Sequence, residues 1–268
     1  MRVDRPAGRV GARSRGEEAS RAAERAEAMR ARRRWVWTGI SLVVFSASVG
    51  LAVGVLGSPL FEVRTVLVES PDESLAAEAA ERAENLRFGT VWLPPMREIE
   101  GRIGGLPRAK AVRVGRELPS TLTIVVEPRI PVAVVREENR WMVVDEEGIC
   151  LHWTGRAPEG LPRVRIEDPS GLSVGANLSA ADVEMMNAVR AGLQETGLLA
   201  NADIDLSYPV RIEVLTANGV LGKLGNSELL YEKSLLFGKL LHSLEEKGDP
   251  PLYIDLRVPS RPTFRPLD

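Results

Sequence analysis

The chain has 268 residues, 27% of them charged and 44% hydrophobic, with a formal net charge of −2. Its single cysteine, Cys150, excludes an intramolecular disulfide, so the globular part must be held by apolar cores. The near-neutral total hides a division. Residues 1–34 carry eleven Arg against five acids, while everything after them is net −8.

The basic arm has no aromatic side chain before Trp35 with which to stack a base, which speaks against nucleic acid as its partner. A topology signal and contact with anionic lipid account for its arginines. Residues 1–16 have too few apolar side chains to order themselves, and 17–34, rich in Ala, Glu and Arg, suit a solvated helix.

Trp35–Leu56 follows, 22 residues without a charge. At about 1.5 Å per residue such a helix covers roughly 33 Å, enough for a hydrocarbon core of about 30 Å. Trp35 and Trp37 sit at its polar end, where amphipathic rings prefer to lie. A buried core helix and a cleaved signal peptide are the competing readings. The run is longer than a signal h-region of about 7–15 residues, and no A-x-A-like site follows it. The expectation is a single membrane span, with the Arg-rich N-terminus cytoplasmic and the bulk of the chain outside.

Beyond Pro59, residues 61–69 read as a strand rich in β-branched and aromatic side chains. Ser70, Pro71 and Glu73 form a helix-start signature, predicting a helix to about residue 86. Met96, Ile99, Ile103 and Leu106 recur at helical spacing before Pro107. Two strands are predicted next, 109–117 and 121–127, turned by Leu118-Pro119-Ser120. Strands at 132–136, 141–144 and 149–153 follow, then a helix at 180–196 capped by Ser179. Asn218-Gly219 joins strands 211–215 and 220–224 as a hairpin. Asn226 or Ser227 is expected to cap a helix to 246, Tyr253 to Val258 to form the last strand, and Pro259, Pro262 and Pro266 to make an irregular tail.

Several stretches resemble the bacterial cell division family FtsQ/DivIB. They include FEVRTVLVE, LPRAKAVRVGRELPSTLTIVVEPRIPVAVV, the W-x-x-V-D-x-x-G-x run from Trp141 to Ile149, and YIDLR near the end. The chain departs from the family pattern at Pro107-Arg108-Ala109, where Pro-Trp-Val is usual, and at Glu127-Pro128-Arg129, where Glu-Arg is usual. A third departure is Ser70-Pro71 in place of a loop glycine. The resemblance implies an α+β fold: a single transmembrane helix, a POTRA domain (β-α-α-β-β) and a second mixed α/β domain with an antiparallel-rich sheet. The implied divisions are 1–34 arm, 35–56 span, 59–129 POTRA domain, 130–258 FtsQ-type β domain and 259–268 tail.

Catalytic chemistry is not legible. Cys150 and His152 lie two apart on a strand, so alternation puts them on one face, but no further ligand or base accompanies them. Asp203 and Asp205 lack the further oxygens of a calcium loop. Gly219, Gly222 and Gly225 have hairpin spacing and no following Lys-Ser/Thr. No catalytic, cofactor-binding or metal residue is assigned, and no enzyme is expected.

What remains is binding. The expected mode is pairing of a partner's extended segment with a sheet edge. The edge predicted from sequence is the last strand, with Tyr253, Ile254, Asp255, Leu256, Arg257 and Val258 as contact residues. The resemblance names the partners, FtsB/FtsL-like proteins at this strand and other division factors at the POTRA domain. It also implies a place in the cell membrane at the division septum. The competing reading is a POTRA-containing envelope assembly or secretion factor.

Overall fold

The computed structural model describes residues 35–267, so the expectations for the 1–34 arm and for Asp268 fall outside the described residues. Trp35–Leu56 is one unbroken helix, α1, long and apolar enough to cross a membrane. No part of its apolar stretch is buried against the rest of the chain, and Leu42, Phe45 and Leu51 are all exposed.

The first sheet has three strands in the order β1-β3-β2, built from β1 (Thr65–Glu69), β2 (Ala109–Glu117) and β3 (Thr121–Pro128). β1 runs parallel to β3, and β2 pairs antiparallel with its other side. Between β1 and β2 come α2 (Glu73–Glu84) and α3 (Met96–Arg102), completing the β-α-α-β-β order of a POTRA domain. Leu75, Ala79 and Ala83 recur every fourth residue on α2 and pack with Ile99, Ile103 and Ile124. The cap of α2 is Asp72, two residues beyond the Ser70 expected from the sequence. Its Oδ1 accepts from Ser74 N–H at 3.0 Å and Leu75 N–H at 3.2 Å. Arg108 forms an ion pair with the same carboxylate, tying the helix start to the approach of β2.

The second sheet has nine strands, in the order β12-β11-β10-β9-β8-β7-β4-β5-β6. These are β4 (Pro131–Glu137), β5 (Arg140–Asp145), β6 (Cys150–Thr154), β7 (Arg163–Arg165), β8 (Asp203–Asp205), β9 (Ile212–Leu215), β10 (Leu221–Gly225), β11 (Pro251–Asp255) and β12 (Thr263–Pro266). Most of the pairings are antiparallel; β4–β7, β7–β8 and β10–β11 are parallel. Helices α4 (Ala180–Glu195) and α5 (Leu230–Glu246) belong to the main core of this sheet, where Met186, Val189, Leu193, Phe237 and Leu241 are fully buried. Each such side chain contributes about 1.5–3 kcal/mol of hydrophobic stabilisation. The two helices touch closely because glycine lies at the crossing. A Cβ on Gly192 would fall 2.6 Å from Tyr231 O, and one on Gly238 would fall 2.1 Å from Thr196 Oγ1.

The two sheets follow one another almost without a break, since β3 ends at Pro128 and β4 begins at Pro131. Arg129 in the junction donates to Asp145 Oδ2 at 2.6 Å and Glu147 Oε2 at 2.8 Å. Asp145 is itself buried, and its other oxygen accepts the N–H groups of Glu147 and Ile149. Lys110 of β2 adds a bridge to Glu146 at 3.1 Å.

Four expectations need correction. α5 starts at Leu230, and its N-cap is Leu229 in the left-handed region, φ 52°. Asn226 instead binds the nearly buried Lys233 ammonium, through its carbonyl at 3.2 Å and Oδ1 at 2.7 Å. The last predicted strand begins two residues earlier, at Pro251, and ends at Asp255. The proline-rich tail is not irregular, because it contains β12. Finally, Cys150 and His152 do not share a face. A bulge in the β5–β6 ladder sets Cys150 opposite Val144 and His152 opposite Val143, and adjacent residues of β5 point to opposite faces.

Candidate partner-binding edge

The predicted contact residues divide by face. Ile254 and Leu256 are almost fully buried in the core shared with α4 and α5. Tyr253 and Asp255 alternate to the other side of β11 and are half-buried, and Arg257 and Val258 are exposed. Direct contact with a partner is thus open to Tyr253, Asp255, Arg257 and Val258 and closed to Ile254 and Leu256, which hold the strand down.

The outward residues form a charged strip. Lys223 of β10 places its ammonium 4.0 Å from the centre of the Tyr253 ring. Arg257 grips Asp255 through Nε at 3.0 Å and through a second guanidinium nitrogen at 2.6 Å. This hydrogen bonding from Arg257 holds the Asp255 carboxyl below the usual carboxylate range, against a burial cost that works the other way. Gly225 leaves room for the arrangement, since a Cβ there would lie 2.9 Å from Arg257 Cγ. Arg211, Glu213, Lys223, Gly225 and Arg257 line a small hollow of about 140 Å³ beside the strip.

β11 is not the free edge that the sequence suggests. One side pairs in parallel with β10, matching Tyr253 with Leu221 and Asp255 with Lys223. The other side pairs antiparallel with β12, matching Tyr253 with Arg265, Ile254 with Phe264 and Asp255 with Thr263. The outermost strand is therefore β12, four residues, all exposed. Phe264 and Leu267 add exposed apolar surface there, as do Leu252 and Val258 next to it. Sequence reading missed this strand by treating prolines as strand breakers. An edge strand tolerates them, and Thr263-Phe264 between Pro262 and Pro266 carried the signal.

The other end of the sheet is covered at its start. Cys150 N–H donates to Ala176 O at 2.8 Å and Gly175 N–H to Cys150 O at 2.8 Å, so the 175–177 segment runs along the start of β6. Arg140 stacks over Trp153 at 3.8 Å. Burial pushes the Cys150 thiol up to about 11, which keeps it protonated and unreactive near neutral pH. His152 is held below its ordinary value, first by burial and then by the nearby Arg108.

An apolar helix ahead of a β-α-α-β-β unit, followed by a mixed sheet with an exposed outer strand, defines the class: a POTRA-led α+β protein. Residues 133–257 match the family "Cell division protein FtsQ/DivIB, C-terminal". The chain is 27% identical over 237 residues to the cell division protein FtsQ of Mycolicibacterium smegmatis, covering 85% of this chain and 66% of that one. It is 29% identical over 143 residues to FtsQ of Streptomyces bingchenggensis, covering 52% of this chain and 46% of the relative. The extracytoplasmic domain of the cell division protein DivIB from Geobacillus stearothermophilus is a structural neighbour at 18% identity. That match has a TM-score of 0.29 and covers 43% of this chain and 93% of that domain. Residues 133–257 are thus of the FtsQ/DivIB type. The chain spans about half to two thirds of the length of these two FtsQ relatives.

Proposed function

We propose that this protein is a non-enzymatic, membrane-anchored scaffold of the bacterial divisome. It is held in the cell membrane by α1, with its N-terminus cytoplasmic and its sheets outside. It docks FtsB/FtsL-like division proteins at the septum, and the POTRA unit, 59–129, is left to other division factors. The match of residues 133–257 to the FtsQ/DivIB C-terminal family supports the division role, and the excess of arginine in 1–34 supports the orientation. The observation that carries the docking mode is β12, a short exposed strand paired on one side only, next to the outward strip of Tyr253, Asp255 and Arg257. A partner segment adding to β12 gains main-chain hydrogen bonds from the edge and side-chain selection from the strip.

The test is capture of FtsB and FtsL extracytoplasmic segments by the full chain in nanodiscs. Three proteins are compared: the natural chain, one lacking residues 259–268, and the double variant Tyr253→Ala, Arg257→Ala. Capture by the natural chain and loss in both variants, with native circular dichroism, is the expected result. Capture that survives both changes moves docking to another surface, and no capture by any of the three removes the partner assignment.

A further inference from the structure

We infer that a second part of the chain enters the membrane surface: the tip of the POTRA unit around Trp92, Leu93 and Met96, in contact with phospholipid of the leaflet where α1 emerges. The inference rests on the reading of α1 as a membrane anchor.

The link from α1 to this tip has no slack. Gly57 N–H donates to Val53 O at 2.9 Å and Ser58 N–H to Val55 O at 3.1 Å, closing the helix end. Ser58 then caps a single 3-10 turn, Pro59–Phe61, and Arg64 reaches back to Pro59 O at 3.3 Å. Leu60 stands four residues past Leu56, at most roughly 14 Å along a fully extended chain.

From there the chain pairs directly with the loop between α2 and α3. Val63 N–H donates to Gly89 O and Val91 N–H to Phe61 O, both at 2.9 Å, and Glu62 bridges Thr90. The rings of Phe61 and Trp92 meet at 5.4 Å. Of the apolar side chains at this tip, Leu93 is 83% exposed, Leu60 65% and Met96 38%, while Trp92 is half-buried with its Nε1 covered.

The charge pattern agrees. Between Leu86 and Arg97 there is no acid, and the exposed Arg87 and Arg97 stand near its two ends, in a part of the chain that is net −8 overall. Glu62 and Glu98 lie just outside. Leu and Met beside arginine suit the boundary between headgroups and acyl chains, where aliphatic groups leave water and guanidinium groups meet phosphate. An apolar tip held this close to a bilayer has a neighbour at hand.

Single spin labels on the full chain in phosphatidylethanolamine/phosphatidylglycerol nanodiscs test this, with Cys150→Ser to remove the native thiol. Labels are placed through Leu93→Cys, Met96→Cys, Val49→Cys within α1 and Val258→Cys at the far edge. Each label is then read for access to oxygen and to a water-soluble nickel chelate. The expected result is high oxygen and low nickel access at positions 93 and 96, shifted toward position 49, with the reverse at 258. Nickel access at 93 and 96 equal to that at 258, while 49 reads as lipid, overturns this inference alone. Protection of 93 and 96 from both reagents also overturns it, in favour of a protein contact. A water-exposed label at 49 overturns the anchor reading and this inference with it.

Discussion

The two ends of the nine-stranded sheet are managed in opposite ways. At β6 the chain covers the start of its own edge: the 175–177 segment lies along the first residue of the strand, and Trp153 is roofed by Arg140. At β12 nothing among the described residues lies beyond a strand whose every residue is exposed. An unpaired edge invites association, and this contrast is what makes the β12 end the docking surface proposed above. The difference also separates two jobs within β11. Its inner side chains hold the sheet to the core, and its outer ones are left partly open to solvent.

The largest effect should come from breaking that division on the inner side. Leu256→Ala removes a fully buried side chain and should lower unfolding free energy by about 2–5 kcal/mol in urea titration. Tyr253→Ala, one face over, should leave the same titration within about 1 kcal/mol of the natural protein. Equal losses from the two would deny that β11 has a structural and a docking side.

A smaller effect tests the covered end. Gly175 has φ +86°, so Gly175→Ala should strain the covering segment by about 1 kcal/mol or somewhat more. The readout is maleimide labelling of Cys150, which should be slow in the natural protein and faster in the variant. An unchanged rate would mean that the 175–177 segment is not what shields β6.

The smallest effect lies at the open end and depends on pH. Asp255 has its carboxyl lowered in the fold, so folding favours the ionised form and gains stability that is fully present above the unfolded value of about 3.9. That gain is lost as pH falls through the lower folded value. Because the Arg257 side chain is 66% exposed, solvent screening leaves the pair only a small contribution. Asp255→Asn should therefore flatten the acid limb of the stability profile slightly and leave neutral pH nearly unchanged; a large loss at pH 7 would contradict this.

What was readable from sequence follows the range of the interaction that forms each element. Strands β2 and β3, helix α4 and the Asn218-Gly219 hairpin are specified by signals a few residues apart, and they lie where periodicity and caps predict. Strands β7 and β8 are three residues each, and β7 pairs only with strands distant in sequence, so little in the local pattern announces them. The start of α5 was misread because Asn226, a good capping residue, serves the buried Lys233 instead. The faces of Cys150 and His152 were misassigned because a bulge changes the register, which composition does not reveal. At the candidate edge the sequence announced β11, and not β12, which pairs along its outer side.

The parallel pairing of β1 with β3 also has a mechanical meaning. The chain enters β1 from the anchor side at Thr65 and leaves β3 toward the large sheet at Pro128, and the two strands point the same way. Tension between the anchor and the outer sheet therefore pulls these neighbours past one another lengthwise. Their five matched residue pairs, Thr65 with Thr121 through Glu69 with Val125, bear that load together, whereas a hairpin pulled at its open end yields one bond at a time. The unit nearest the bilayer is built as a tether that resists stretching, placed between a fixed point and whatever pulls on the far edge.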